Sequence, residues 1–491
     1  MDRDLKHRGG SPAEARQRKV VIRGDPSPPC LTPARQRQKV QLQQQSSTTE
    51  EGSVVDEESA SISPELASWI KLSAKDLKIR QADRCWAAEV VKDFRENLLK
   101  FLRSSSDQPF FQSADFLNTG SYFEKVKIHS PDEFDMMLKL KAPSRFNMKQ
   151  LDDGLFYQIE LNRPTRSPIQ AFLLENEHTL SSSKVLSEMH RLVRKFLKTY
   201  KGNDEQCRWE MNRKRLNSPA VTLSLCRTEN SDELISVDVV PALEVHPSQG
   251  WPLAVRNGPD VDNWLGKKVR QEIKQLPCFF VPKRLKGRNL SEEAKESWRI
   301  SFSLIEKKII TCHGNTKTCC ESNATKCCRK QCLMLLKSLI EGLKQRFPKE
   351  LNDLCSYHGK TVFLHTLSIR FNDSMWACQQ LPACFLHLLG ALQDHAQRGS
   401  LPHFFVPKCN LFSPAIFPRK ALAFLVSALE EQKREGLPLL KPPAPVSPLK
   451  PMTPYSEPSS LLTAVQPVDA TFKSKLVLVF AVALVCVLFL M

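Results

Sequence analysis

Three acidic residues carry the clearest chemistry in this chain. Glu133 and Asp135 stand two apart in a run that reads as a β-strand, so both carboxylates face one side of it. Asp238 lies within Ser236-Val237-Asp238-Val239-Val240, where β-branched neighbours predict a second strand able to bring up a third carboxylate. Three carboxylates held together repel one another and resist ionising unless cations sit between them. Mg²⁺, or Mn²⁺ in its place, is the hard ion that such oxygens suit, and two such ions promote phosphoryl transfer. Upstream, Asn118-Thr119-Gly120-Ser121 predicts a tight turn whose backbone amides and hydroxyl cradle a phosphate, the glycine allowing close approach of the main chain. Each piece alone is common, and its ordinary reading is a solvated loop.

A second constellation is made of sulfur. Six of the 16 cysteines fall between Cys312 and Cys332. The N-terminal MDRDLKHRGG lacks the apolar run of a secretory signal, so the expected compartment is cytosol or nucleus, with reduced thiols. There, cysteines read as metal ligands, reactive groups or buried small hydrophobes before they read as disulfides. A set of buried free cysteines is the plainer alternative, but two Cys-Cys pairs beside His313 and several lysines make a poor apolar core.

These residues need elements to hold them. The charge of +18 favours an anionic partner, nucleic acid before acidic membrane. Residues 1–60 are basic at first, polar throughout and without apolar periodicity, and are expected to be a disordered arm. A long helix is expected from Ala82 to Leu102, with Trp86, Val90, Phe94, Leu98 and Phe101 as its apolar stripe. Lys71, Lys75, Lys78, Arg80 and Arg84, at and before its start, would form either a phosphate-binding patch or a solvated face. From about 105 to 245 strand-like runs such as Val221–Cys226 and Ile235–Val240 alternate with helical ones, which predicts an α/β (α+β) catalytic lobe over 61–255. Helical patterns then predict a C-terminal lobe over 256–436, interrupted by the cysteine-rich insert. Residues 437–473 read as a proline-rich linker, and Leu476–Met491, within a tail from 474, are wholly apolar. As a helix that tail would span only about 24 Å against a hydrocarbon core of roughly 30 Å. Snorkelling by Lys473 and Lys475 would still permit a membrane anchor.

The ordered set of a hydrophobic-flanked Gly-Ser turn, an acidic pair and a lone Asp inside a β-run is the nucleotidyltransferase pattern. The stretch LNTGSYFEKVKIHSPDEFDMMLKL from Leu117, NSPAVTL from Asn217, WRISFSLIEK from Trp298 and SYHGKT from Ser356 sharpen it. The chain over about 65–435 resembles the Mab-21-type nucleotidyltransferases, and among them the cyclic GMP-AMP synthases of vertebrates. The resemblance implies a bilobal enzyme with a mixed sheet and a long spine helix in one lobe and a helical second lobe. It implies synthesis of 2′3′-cyclic GMP-AMP from ATP and GTP on binding double-stranded DNA, as an innate immune sensor. It also implies a DNA-induced homodimer and contact with nucleosomes. A relative activated by double-stranded RNA, or one making another oligonucleotide, is the alternative.

Carried onto this sequence, the resemblance makes Glu133, Asp135 and Asp238 the Mg²⁺ ligands. Thr119, Gly120 and Ser121 become the phosphate turn. Arg299, Ser301, Ser303, Lys337, Ser356 and Tyr357 become nucleotide contacts, with Tyr357 stacking on a base. For Tyr357 alone a core aromatic is the plainer reading. His313, Cys319, Cys320 and Cys327 become the Zn²⁺ ligands of a thumb loop, an imidazole and three thiolates forming a closed structural site. Lys71, Lys307, Lys326, Arg329 and Lys330 become duplex contacts, which position without reading sequence. Ala74 and Met334 stand where mammalian members carry a basic residue.

Overall fold

The computed structural model describes residues 62–440 apart from 216, 256–258, 260 and 286–289. The basic arm, the linker beyond 440 and the apolar tail lie outside the described residues. The chain runs through α1 (Pro64–Asp76), α2 (Gln81–Ser104), β1 (Asp115–Asn118), β2 (Glu133–Lys141), β3 (Phe146–Gln150), β4 (Phe156–Leu161) and α3 (Ser182–Leu197). There follow β5 (Cys207–Met211), β6 (Val221–Arg227), β7 (Glu233–Val245), α4 (Lys267–Gln275), β8 (Cys278–Val281), α5 (Glu292–Lys295) and β9 (Trp298–Ser301). The remainder is α6 (Ser303–Thr311), α7 (Arg329–Arg346), α8 (Ser356–Ile369), α9 (Leu381–Arg398), β10 (Pro402–His403), β11 (Val406–Asn410) and α10 (Arg419–Arg434).

Nine strands make one mixed sheet in the order β1-β2-β7-β8-β9-β4-β3, with β6 joining β5 to β7. The long strand β7 is its pivot: it runs parallel to β2, while its first half pairs antiparallel with β6 and its last residues with β8. The helices from α7 onward pack together as the second lobe. A continuous cluster of buried side chains extends from Ile70 to Leu440, so the two lobes share one core.

The long helix forms as expected, two residues longer at its end, but its buried stripe is Ala87, Val91, Phe94, Leu98 and Leu102. Trp86, Val90 and Phe101 are only partly buried. Phe94 packs against Phe196, Tyr200 and Trp209, and a side chain so buried stabilises the fold by about 1.5–3 kcal/mol. Ahead of it α1, not anticipated from the sequence, begins where Ser63 Oγ accepts from Leu66 N with Pro64 in the first turn. Lys71 and Lys75 are exposed on α1, and Lys78 and Arg80 on the connection to α2. Ala74 and Met334 are both buried, so neither position presents a side chain to an outside partner. At the far end, Leu437 and Leu440 remain buried, and the turn Pro438–Leu440 packs beside Gly342 of α7.

No described helix is long and apolar enough to cross a membrane. All fourteen cysteines among the described residues are free thiols.

Candidate active site and metal centre

Register, more than any single residue, builds the acidic site. β2 and β7 run parallel with Asp135 directly opposite Asp238 and Glu133 opposite Ser236, so the three carboxylates share one face and one end of the sheet. Further along that face, Met137, Val240 and Ala242 join Phe279, Val281 and Leu304 in a small apolar cluster, which backs the carboxylates. Thr222, opposite Asp238 on β6, donates to Asp238 Oδ1 at 2.6 Å and fixes that carboxylate. Lys127 is the local counter-charge, 2.9 Å from Glu133 Oε2 and 3.1 Å from Asp132 Oδ1. Burial alone would lower its pKa, but Glu133 and Asp132 outweigh that and raise it.

One lysine against this many carboxylates leaves Asp135 strained. Although its side chain is open to solvent, its carboxyl is pushed up to about 6, first by the crowding of protein around this floor of the sheet and then by Glu133 and Asp238. A carboxyl raised in this way favours the fold below its unfolded pKa, and that contribution is lost as pH rises through about 6. Cation binding runs oppositely, because it requires the carboxylate. Mn²⁺ affinity, measured by titration calorimetry, is therefore expected to rise up to about tenfold per pH unit below 6 and to level off above it, with Asp135→Asn removing the slope. A flat profile in the wild type would show that Asp135 does not meet the ion.

The Gly-Ser turn lies against this floor. Gly120 has φ +85°, and a Cβ there would stand 3.1 Å from Asp135 Cβ and 3.2 Å from its Oδ2. Glycine is therefore required both by the backbone and by the closeness of Asp135. Thr119 is buried beneath the turn and Ser121 is half-buried in it.

Four lysines, Lys307 from α6 and three from the helical lobe, grip this segment. Lys307 Nζ donates to the Asn118 carbonyl at 2.7 Å, Lys330 Nζ to that of Glu124 at 3.1 Å, and Lys337 Nζ to that of Val126 at 3.1 Å. Lys360 Nζ binds Glu124 Oε1 at 2.9 Å and Glu306 Oε2 at 2.7 Å. Burial lowers the pKa of Lys330 and Lys337, while for Lys360 the two carboxylates outweigh burial and raise it. Lys307 and Lys330, expected on a duplex-facing surface, thus sit partly buried against the catalytic loop. Lys337, expected at a nucleotide, spends its ammonium on a backbone carbonyl of that loop.

Beside this grip lies the expected base-binding group. Ser301 and Ser303 hydroxyls are 2.8 Å apart at the junction of β9 and α6, and Ser356 is exposed in the first turn of α8. Arg299 is half-buried on β9, where burial lowers its pKa while Tyr357, Glu306 and Cys355 oppose. His403 Nδ1 accepts from the Phe405 and Val406 amides, so Nε2 carries the proton and donates to Tyr357 Oη at 2.9 Å. Tyr357 in turn donates to Glu306 Oε1 at 3.1 Å, and burial holds the His403 imidazole neutral with a pKa of about 4. His403, Glu306, Lys360, Lys127 and Thr222 were not singled out from the sequence. Lys127, Thr222, Glu306 and Lys360 fall inside the stretches that carry the family resemblance, whereas His403 lies outside them.

The cysteine insert converges as expected. One ligand atom each from His313, Cys319, Cys320 and Cys327 lies within 4.8 Å of all the others. His313 Nδ1 donates to the Ile310 carbonyl at 2.8 Å, which turns Nε2 toward Cys327 Sγ at 3.2 Å and Cys320 Sγ at 3.5 Å. Gly314 is needed here, since a Cβ would fall 2.2 Å from Cys319 Cβ. The Cys327 thiol is pulled down to about 3, chiefly by Cys319 and then by His313, as suits a thiolate ligand. One imidazole and three thiols in this arrangement fit a tetrahedral metal ion.

Arg329 corrects an expectation. It is fully buried, 2.9 Å from Asp373 Oδ1, donating to the Phe371 carbonyl at 3.1 Å and lying over the Trp376 ring. Asp373 also accepts from the Asn315 and Thr316 amides, so Arg329 ties the insert to the helical lobe and offers nothing to a duplex. Lys326 is exposed beside it.

The Mab-21 protein nucleotidyltransferase domain family matches residues 122–311, and the Mab-21 protein HhH/H2TH-like domain family matches 328–431. The His313–Cys327 cluster falls between the two. The chain is 38% identical over 364 residues to the cyclic GMP-AMP synthase of Mus musculus, covering 74% of this chain and 68% of that protein. It is 37% identical over 356 residues to that of Sus scrofa, covering 72% and 68%. A cyclic GMP-AMP synthase-like receptor of Magallana gigas is more distant, 24% identical over 367 residues, covering 75% and 58%.

Proposed function

Because the chain belongs to the Mab-21 nucleotidyltransferases, in the company of the cyclic GMP-AMP synthases, we propose that it joins ATP and GTP into 2′3′-cyclic GMP-AMP when it binds double-stranded DNA, and so acts as an innate immune sensor. The observation that carries this reading is the parallel register that sets Asp135 beside Asp238, with Glu133 on the same face and the Gly120 turn packed on Asp135.

Glu133, Asp135 and Asp238 would hold Mg²⁺ or Mn²⁺, and the raised Asp135 carboxyl marks a site short of positive charge. Bound there, divalent ions neutralise the triphosphate and ease deprotonation of the attacking hydroxyl. The chain itself does the positioning. The Thr119-Gly120-Ser121 turn presents amides and a hydroxyl to phosphate, and Thr222 keeps Asp238 in one rotamer. Arg299, Ser301, Ser303, Ser356 and Tyr357 supply the donors and the ring suited to a purine base. His313, Cys319, Cys320 and Cys327 would hold Zn²⁺ as a structural ion.

The duplex reading rests on the exposed Lys71 and Lys326 together with the basic charge of the chain. From the metal insert α7 leads directly to Lys330 and Lys337, whose ammonium groups hold the catalytic loop. A duplex pressing on the insert would therefore reach Gly120 through a rigid helix. DNA-induced dimerisation, nucleosome contact and a cytosolic and nuclear location belong to the same reading; membrane anchoring by the apolar tail is a separate proposal that rests on its composition alone.

The test is incubation of the full chain with ATP, GTP and Mg²⁺, with double-stranded DNA, double-stranded RNA or neither, and resolution of the products. A mixed cyclic dinucleotide formed only with DNA is expected. Product formed with RNA, or a product lacking either nucleotide, overturns the reading in favour of the RNA-activated or other-oligonucleotide relative. In the same assay Lys326→Glu is expected to weaken all duplex sequences alike and to flatten the salt dependence by about one unit of slope. An unchanged slope places the duplex elsewhere.

A further inference from the structure

Beside the buried stripe of α2, the fold makes a small aromatic hole. Trp86 comes from α2, Tyr200 from the loop after α3 and Trp209 from β5, and together they line a cavity of about 160 Å³. That is room for a group of about five heavy atoms, counting a water-sized share of about 30 Å³ for each. The rings are held from behind. Phe94 packs on Trp209 with centroids 4.4 Å apart and meets Tyr200 edge-on at 6.0 Å, while Tyr200 stacks on Phe196 at 4.7 Å. Tyr200 Oη donates to Asp93 Oδ2 at 2.6 Å, which fixes the ring's rotation.

The charge around this hole opposes that of the chain. Glu89, Asp93 and Asp204 line it, and no lysine or arginine does, in a protein of net charge +18. None of the three carboxylates is in an ion pair among the described residues, whereas Lys92, one position from Asp93, reaches away to Glu96. Glu89 and Asp93 fall on the same face of α2 as Trp86, three and seven positions on, so the helix delivers an aromatic ring and two anions to one spot. Asp204 is held by the Gln206 amide at 2.9 Å and by the Cys207 thiol at 3.5 Å.

Electron-rich ring faces and carboxylates around a small cavity select for a cation. The remaining lining is Val90, Gly202, Asn203, Cys207 and Leu225, so beyond the three carboxylates and the Asn203 amide a bare ammonium meets few acceptors to replace its strong hydration. A methylated ammonium has no N–H donors and is weakly hydrated, so it loses little on entering. We propose that this cavity is a binding site for a quaternary ammonium group, the chemistry shared by a choline headgroup and a trimethylated lysine side chain. It shares no residue with the catalytic cleft or the metal insert, so it stands whether or not the proposed reaction does.

The experiment is calorimetric titration of the full chain with tetramethylammonium, choline, trimethyllysine and unmodified lysine, and with 3,3-dimethylbutanol, the uncharged isostere of choline. Saturable binding of the methylated cations, at least tenfold tighter than the neutral alcohol and than lysine, is expected. Trp86 is partly exposed and can be changed without opening the core. Trp86→Ala is expected to weaken binding at least tenfold, Trp86→Phe by no more than a few-fold, and Asp93→Asn by an intermediate amount. Choline binding above trimethyllysine points to a lipid or small-molecule source, and the reverse order to a modified protein tail. Equal binding of the neutral alcohol, no saturable binding of any methylated cation, or an unaffected Trp86→Ala overturns the proposal.

Discussion

Asp238→Ala is expected to abolish cyclic dinucleotide formation, lowering turnover by at least about 10³-fold, and to leave affinity for duplex DNA within a few-fold of wild type. The size of the effect follows from geometry. Asp238 is the one carboxylate brought from β7, and its partner Asp135 faces it across the parallel ladder, so no neighbouring side chain can take its place. Loss of Asp238 also removes the acceptor of the Thr222 hydroxyl. The fold should tolerate the change, because removing one of three mutually repelling carboxylates relieves Asp135, whose pKa falls back toward the ordinary range. Thermal unfolding of the metal-free variant at neutral pH is therefore expected at or above the wild-type temperature, with activity absent. A variant that keeps a tenth of wild-type turnover would take Asp238 out of the metal site. One that melts well below wild type would show that its role is structural. Thr222→Val is the milder probe: the carboxylate remains but loses its fixed rotamer, and a partial loss of turnover is expected with binding unchanged.

What was legible in the sequence is what short-range pattern encodes. Strand periodicity put Glu133 and Asp135 on one face, and β-branched flanks put Asp238 in a strand. The family resemblance named four residues of the insert, and these do converge. The lysines were not legible in the same way. Lys307, Lys330 and Lys337 find backbone carbonyls 189, 206 and 211 positions earlier in the chain, and a basic residue destined for a carbonyl looks no different from one destined for phosphate. Arg329 misled for the same reason, its partners Asp373 and Trp376 arriving from another helix-linked segment of the second lobe. The phase of α2 was also read one residue off. Trp86 and Val90 counted as core by hydrophobicity, yet they line a cavity with Tyr200 and Trp209, while the smaller Ala87 and Val91 take the interior. Size favoured the wrong stripe, because an aromatic ring can be half-buried at a cavity as readily as fully buried in a core. The start of α1 carries its own local signal in Ser63 and Pro64.

Cys320→Ala is expected to lose the bound zinc and, with it, activation by DNA. The segment from Cys312 to Cys327 has few apolar side chains and is largely exposed, so burial cannot order it. Two other supports hold its ends. His313 is pinned through the Ile310 carbonyl, and Asp373 accepts from Asn315, Thr316 and the buried Arg329. Between them the limbs are joined by the Cys319, Cys320, Cys327 and His313 cluster and by a turn in which the Cys320 amide donates to the Thr325 carbonyl at 2.8 Å, and Cys320 itself has φ +65°, a conformation the backbone would leave without the cluster's hold. Structural zinc sites in peptides are worth about 10–16 kcal/mol, enough to dominate the folding of a loop this size. Lys326 then no longer stands in a fixed place for a duplex, and the first turn of α7 loses the anchor from which Lys330 reaches the Glu124 carbonyl. Cys312→Ala is the matching control, since Cys312 is outside the four-residue cluster and should retain both metal and DNA activation. Metal analysis of the purified wild type decides the premise, with about one zinc per chain expected and its absence ending the idea. Loss of zinc from Cys320→Ala with DNA activation intact would leave the site as a structural clamp alone and break the proposed route from the insert through α7 to the catalytic turn.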